Sequence, residues 1–114
     1  MFFRKKKIEV MPDLNQDFLQ SLYESLAVIE FTPKGEILNA SDLFLSCVGY
    51  QKQEIVGKHH SLFCSEKIVS SPKYSQFWDH LASGKKQTGV FPRVDKSGKE
   101  IFVEATYFPI VSEG

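Results

Sequence analysis

Between Glu100 and Val111 the side chains alternate as a β-strand requires, with Ile101, Val103, Ala105 and Tyr107 on one face and Phe102, Glu104, Thr106 and Phe108 on the other. Asp95-Lys96-Ser97-Gly98 stands just before it as a turn, and Thr88 to Val94 reads as the strand before that turn. The three pieces make a hairpin. A lone hairpin is marginal in water, so its apolar face needs a cover from the rest of the chain. That requirement sorts the remaining segments into strands that extend the sheet and helices that lie on it.

A second hairpin comes first in the chain. Ala27-Val28-Ile29-Glu30-Phe31 is rich in β-branched and aromatic residues, Thr32-Pro33-Lys34-Gly35 places Pro and Gly as a type I turn wants them, and Glu36-Ile37-Leu38 returns. Helices fill the interval between the hairpins. Ser41 is the expected N-cap of one that runs to Gly49, with Leu43, Phe44, Cys47 and Val48 on one face. Gln51 to Val56 makes a further turn or two and stops at Gly57. Ser71-Pro72 starts another, in which Tyr74, Phe77, Trp78, Leu81 and Ala82 follow the spacing of a buried face up to Gly84. Ahead of all of these, Pro12-Asp13 opens an amphipathic helix in which Leu14, Phe18, Leu22 and Leu26 recur, with Leu19 and Tyr23 beside them.

A chain of 114 residues fits one domain with one core, and ten Phe leave room for an aromatic-lined cavity. Fourteen basic residues balance fourteen acidic ones, which argues against nucleic acid or an anionic membrane as partner. The exception, Arg4-Lys5-Lys6-Lys7, reads as a solvated tail. No apolar run has the length of a transmembrane helix, so the expected location is the cytoplasm. Cys47 and Cys64 lie in apolar helical stretches without metal-site spacing and are expected to be reduced, structural thiols. No Gly-rich phosphate loop, nucleophile elbow or zinc spacing occurs, and Asp42, Asp79 and Glu104 read as isolated surface charges or caps, so no enzyme is indicated.

His59-His60 is the sharpest chemical feature. Two imidazoles in tandem at a helix start can hydrogen-bond a cofactor, ligate haem iron or sense pH. The plainer reading has one of them cap or buttress the helix while the other is solvated. His80, two residues from Trp78, points to another face and reads as a surface residue.

The succession Gly49-Tyr50, Glu54-Ile55-Val56-Gly57, His59-His60, Phe77-Trp78 and Asp95-Lys96-Ser97-Gly98 resembles a PAS domain. The likeness is strongest to the N-terminal PAS domains of soluble methyl-accepting chemotaxis proteins and flavin-binding aerotaxis receptors. It implies an α+β fold, an antiparallel sheet with short helices on one face, over residues 27–114; residues 1–26, the basic tail and amphipathic helix, lie outside the likeness. A PAS sheet has a fifth strand between the first and fourth, and here it falls past Gly114, so the final central strand is expected to be missing from a truncated domain. Two facing open edges would leave backbone groups unpaired. The expected substitutes are residues around Lys7 to Val10, whose Ile8 and Val10 alternate with polar neighbours, or a strand from a second molecule.

The resemblance also implies a function and a site: a sensory module that binds a small ligand or redox cofactor and relays a conformational change to a downstream chemotaxis signalling domain, as a homodimer. His60, Asn39 and Trp78 fall on family residues that hold a flavin, Phe44 and Val90 are expected to complete the apolar wall, and His59 stands beside them. Gln87 and Thr106 depart from a Trp and an Asn of the flavin-binding pattern. FAD is the first expected cofactor and haem the second, with none as the third possibility. Light-sensing relatives carry a reactive Cys where this chain has His60, and Cys64 is one turn further on, which argues against adduct photochemistry. The alternative is a cofactor-free dimerisation module whose pocket is filled by its own Phe side chains.

Overall fold

The computed structural model describes residues 3–4 and 14–110. The elements are β1 (Phe3–Arg4), α1 (Leu14–Ser25), β2 (Ile29–Phe31), β3 (Ile37–Ala40), α2 (Asp42–Val48), α3 (Lys52–Ile55), a 3-10 turn (His60–Phe63), α4 (Glu66–Val69), α5 (Pro72–Ala82), β4 (Gln87–Val94), β5 (Glu100–Tyr107) and β6 (Pro109–Ile110). Antiparallel hairpins and short helices form the expected α+β arrangement.

The two hairpins follow the turn chemistry of the sequence. The β4–β5 ladder pairs Gln87 with Tyr107 through to Val94 with Glu100. At its turn Asp95 Oδ1 accepts from the Ser97 and Lys99 amides, and Gly98 takes a φ of 85°. In β2–β3, Ile29 faces Ala40 and Glu30 faces Asn39, and the register then shifts so that Phe31 faces Ile37. The strand expected to run from Glu100 to Val111 breaks after Tyr107, and Pro109 begins β6. Proline has no amide hydrogen to continue a ladder.

The expected substitute pairing at the N-terminus falls on Phe3–Arg4. β1 pairs in parallel with β6, Phe3 beside Pro109 and Arg4 beside Ile110, and β1 also lies against β2. The pairing therefore involves Phe3–Arg4, whereas the segment Lys7 to Val10 lies outside the described residues. No direct pairing of the two hairpins occurs among the described residues.

Ser41 shows how local chemistry ties helix to sheet. Its hydroxyl oxygen accepts from the Phe44 amide, capping α2, and from the Val28 amide at 2.8 Å, while the hydroxyl donates to the Leu26 carbonyl at 2.9 Å. The two bonds it accepts are buried and the one to Leu26 is partly so. Ser41→Ala is expected to destabilise the fold by about 1–3 kcal/mol, because a cap is lost and a buried amide is left unpaired. Chemical denaturation measures it, and a change below about 0.5 kcal/mol would contradict the role.

Two helix faces differ from expectation. On α2 the buried residues are Phe44 and Val48 with Leu45 beside them, while Leu43 and Cys47 are exposed, so Cys47 is not a core thiol. On α1, Phe18 is 66% exposed, and Leu26 just past its end is exposed too, whereas Leu19, Leu22 and Tyr23 are half-buried. The Tyr23 hydroxyl hydrogen-bonds the buried Glu30 carboxylate, which turns that side of the helix inward. The opening of α1 at Pro12-Asp13 and the side chain of Leu14 lie outside the described residues.

The core is built on Ile29, Phe31, Ile37, Phe44, Ile55, Phe63, Phe77, Leu81 and Tyr107. Its centre is aromatic. Phe31 stands edge-on to His60 and Trp78 at centroid distances of 5.0 and 5.7 Å, and Phe77 edge-on to Tyr107 at 4.8 Å.

Candidate sensory site

Gly57 to His60 runs antiparallel along the β2–β3 turn, which fixes both histidines. The Ile37 amide donates to the Lys58 carbonyl and the His60 amide to the Gly35 carbonyl, each at 2.8 Å. Gly35 has a φ of 88°, and a Cβ there would lie 2.5 Å from His59 Nε2. Only glycine lets the turn close on this ring.

The two imidazoles then part. His59 is exposed and caps the 3-10 turn: its Nδ1 accepts from the Ser61 amide at 3.0 Å, which leaves Nε2 to donate to the Lys34 carbonyl at 2.8 Å. His60 is 1% exposed. It is ringed by Phe31, Phe63, Tyr74, Phe77, Trp78 and Tyr107. The plainer reading of the pair, one ring supporting the helix and the other solvated, matches this division: His60 packs in the core and His59 caps the turn from an exposed position.

Donor direction follows from Arg93, which can only donate. Arg93 Nη2 gives a hydrogen bond to the Tyr107 hydroxyl at 3.2 Å, the Tyr107 hydroxyl lies 3.5 Å from His60 Nε2, and His60 Nδ1 lies 2.9 Å from the Tyr74 hydroxyl. With one lone pair of Tyr107 taken by Arg93, its hydroxyl is placed to donate to Nε2, and the matching tautomer carries the proton on Nδ1, facing Tyr74. This fits a neutral imidazole. Burial holds the His60 pKa well below the ordinary histidine value, and the positive charges of Arg93 and His59 push the same way. Burial likewise raises the Tyr74 and Tyr107 hydroxyls and the Cys64 thiol, so none of them ionises readily.

The sequence-derived site residues are only partly brought together. Phe44 and His60 line an internal void of about 10 Å³ with Phe31, Phe63, Arg93 and Tyr107. Trp78 is half-buried against His60 at 5.3 Å, and among the described residues its buried Nε1 makes no hydrogen bond of ordinary geometry, with the Tyr74 ring as its neighbour. Asn39 lines neither this void nor the larger groove, and its Oδ1 accepts from the next amide, Ala40. Val90 is 65% exposed on the outer face of β4, opposite Glu104, and is corrected as a wall residue. Phe91, one residue on, takes the inner position and packs on Phe77 and Tyr107.

An isoalloxazine or a porphyrin needs a pocket of roughly 300 Å³ or more. The void holds about one water, and both His60 nitrogens are engaged by tyrosines, so the packed core fits neither a flavin nor a haem. Among the described residues no cluster of three or more His, Cys, Asp or Glu side chains could hold a metal. A larger space lies outside the core. Between α4, α5 and β4 a groove of about 460 Å³ is bounded by Ile68, Tyr74, Phe77, Phe91 and Arg93, with Lys73 and His80 among its polar residues. Sequence reasoning missed Arg93, because taking Val90 as inward places Arg93 on the outer face; Phe91 as the inward residue would have placed Arg93, two positions on, inside.

A sequence profile of the PAS domain family matches residues 25–114, most of the chain. The chain belongs to the PAS domain family. This PAS domain is 36% identical over 92 residues to the biofilm dispersion protein BdlA of Pseudomonas aeruginosa, covering 81% of this chain and 22% of that protein. It is 28% identical over 78 residues to the aerotaxis receptor of Escherichia coli, covering 68% of the chain and 15% of the receptor. The PAS domain thus spans less than a quarter of either relative. In fold it is similar to a domain of a sensory box sensor histidine kinase/response regulator from Geobacter sulfurreducens, with a TM-score of 0.71 at 15% identity and 81% of both chains covered. An RNA-binding light-oxygen-voltage receptor superposes with a TM-score of 0.67 at 18% identity over 93% of this chain and 32% of that one. Among the described residues no helix is long and apolar enough to cross a membrane.

Proposed function

We propose that this PAS domain is the ligand-sensing module of a chemotaxis-type signalling protein: it binds a small molecule in the α5–β4 groove and relays a change in sheet packing to a downstream signalling domain, in the cytoplasm and as a homodimer. The observation that supports the reading is the chain Arg93, Tyr107, His60, Tyr74. It links both strands of the β4–β5 hairpin to the 3-10 turn and to α5 through buried polar contacts. A ligand that alters one member alters the partners of the next, and the sheet responds as a shift between populations.

A thermal-shift screen of organic acids, amines and neutral metabolites against the purified protein tests this, because a ligand of the native state raises the melting temperature. At least one chemical class is expected to do so. A flat screen would sink the ligand-sensing reading, and a flavin or haem absorption band in the purified protein would replace it with cofactor sensing.

A second reading, a cofactor-free interaction module, is favoured by the filled core and by the apolar residues left outside: Phe18, Val90 and Phe102, the last 68% exposed. Under that reading Phe102→Glu weakens self-association measured by sedimentation.

A further inference from the structure

The groove between α5 and β4 carries a charge pattern that core packing does not explain. Its helix wall is one face of α5, where Lys73, Gln76, Phe77 and His80 recur at spacings of three and four. Its sheet wall includes Gln87, Phe91 and Arg93, which share the inner face of β4. None of the residues bounding the groove is acidic, while Lys73 and Arg93 bring two positive charges. The floor is apolar and aromatic, and the volume of about 460 Å³ lies in the range of small-molecule sites, roughly 300–1,000 Å³.

Arg93 is the informative member. It is 5% exposed, with no ion-pair partner among the described residues. Nη1 donates to the adjacent Pro92 carbonyl at 2.8 Å and Nη2 to the Tyr107 hydroxyl, while Nε is buried with no acceptor among the described residues. The rings of Phe91 and Tyr107, 5.1 and 5.8 Å from the guanidinium carbon, offset part of the burial through their negative faces. A buried cation without a counter-ion is costly. An anion placed beside it relieves that cost and gains charge-assisted hydrogen bonds.

We propose that this groove binds a small organic carboxylate, its acid group drawn to Lys73 and Arg93 and its apolar body laid on Tyr74, Phe77 and Phe91. The proposal rests on the sensory reading above and gives the sensed ligand a chemical class. Arg93 borders both the groove and the void beside His60. A carboxylate that draws the guanidinium toward the groove weakens its bond to Tyr107 and frees the hydroxyl that orients His60.

Benzoate is the probe, benzamide its uncharged counterpart and inorganic phosphate the bare-anion control, each titrated into the full chain and followed by amide and His60 ring resonances in NMR. Benzoate is expected to give saturable shifts at α5 and β4, with benzamide binding about tenfold or more weakly, as the loss of one charge-assisted bond implies. Phosphate is expected to leave these amides in place. Lys73→Gln, a rim change outside the aromatic core, is expected to weaken benzoate about fivefold or more, and Arg93→Lys, which keeps the charge and removes the fork, to weaken it further. Equal binding of benzamide and benzoate overturns the carboxylate assignment, as does phosphate binding as tightly as benzoate. An unchanged affinity in Lys73→Gln overturns it even where Arg93→Lys fails to fold, and so does the absence of benzoate shifts at about 10 mM. Benzoate binding that leaves the His60 ring resonances unmoved supports the carboxylate site and overturns the relay of the sensory reading.

Discussion

Phe31→Ala is expected to remove about 3–5 kcal/mol of stability, the range for deleting a buried Phe from a packed core. Phe31 is fully buried and touches the three rings on which the centre depends, those of His60, Trp78 and Tyr107. It sits on β2 just after the register shift, where α5, β5 and the 3-10 turn converge, so no single neighbour can collapse into the hole. For a domain stable by about 5–15 kcal/mol the loss approaches unfolding. Urea denaturation of Phe31→Ala and the milder Phe31→Leu gives the ranking, and a cost below about 1 kcal/mol for the alanine variant would show that the aromatic cluster is not the core's centre.

The second large effect is a pH dependence set by His60. In the unfolded chain this imidazole takes up a proton near its ordinary pKa of about 6.5. In the folded protein the pKa lies well below that, because burial, Arg93 and His59 all disfavour the charged ring, and the Tyr74 and Tyr107 hydroxyls satisfy the neutral one. The unfolded state therefore binds more protons. The stability that His60 contributes is complete above about pH 6.5 and is lost as the pH falls below it, with a slope approaching about 1.4 kcal/mol per unit until the folded pKa is reached. From about pH 7 to about pH 5.5 the loss is expected to be about 1 kcal/mol. The difference between the denaturation curves of the wild type and His60→Phe isolates this component. An NMR titration in which His60 protonates near pH 6.5 in the folded protein would refute it.

Much of this fold is legible residue by residue where the chemistry is local. Ser41 and Ser71-Pro72 start helices, Gly49 and Gly57 stop them, and Asp95 with Gly98 turns a hairpin, because each acts within four residues of itself. α4 escaped notice: capped by Ser65, it spans only four residues, too few for a period to show. Which face of an element is buried is not legible where long-range contacts decide it. Tyr23 meets Glu30 and turns α1, and the parity of β4 puts Phe91 inward and Val90 outward. The candidate site suffered most, since Tyr74, His60, Tyr107 and Arg93 come from four separate elements, and nothing in their spacing announces that they meet.

The parallel sense of β1 on β6 sets how the domain meets a pulling force. Traction applied ahead of Phe3 and beyond Ile110 runs along both strands, so their hydrogen bonds are loaded together in shear. An antiparallel pair held at the same two ends would instead peel open one bond at a time. In a force-spectroscopy experiment the β1–β6 contact would therefore act as a clasp that yields in one step, and tension from flanking segments would reach β2 only after that clasp had given way.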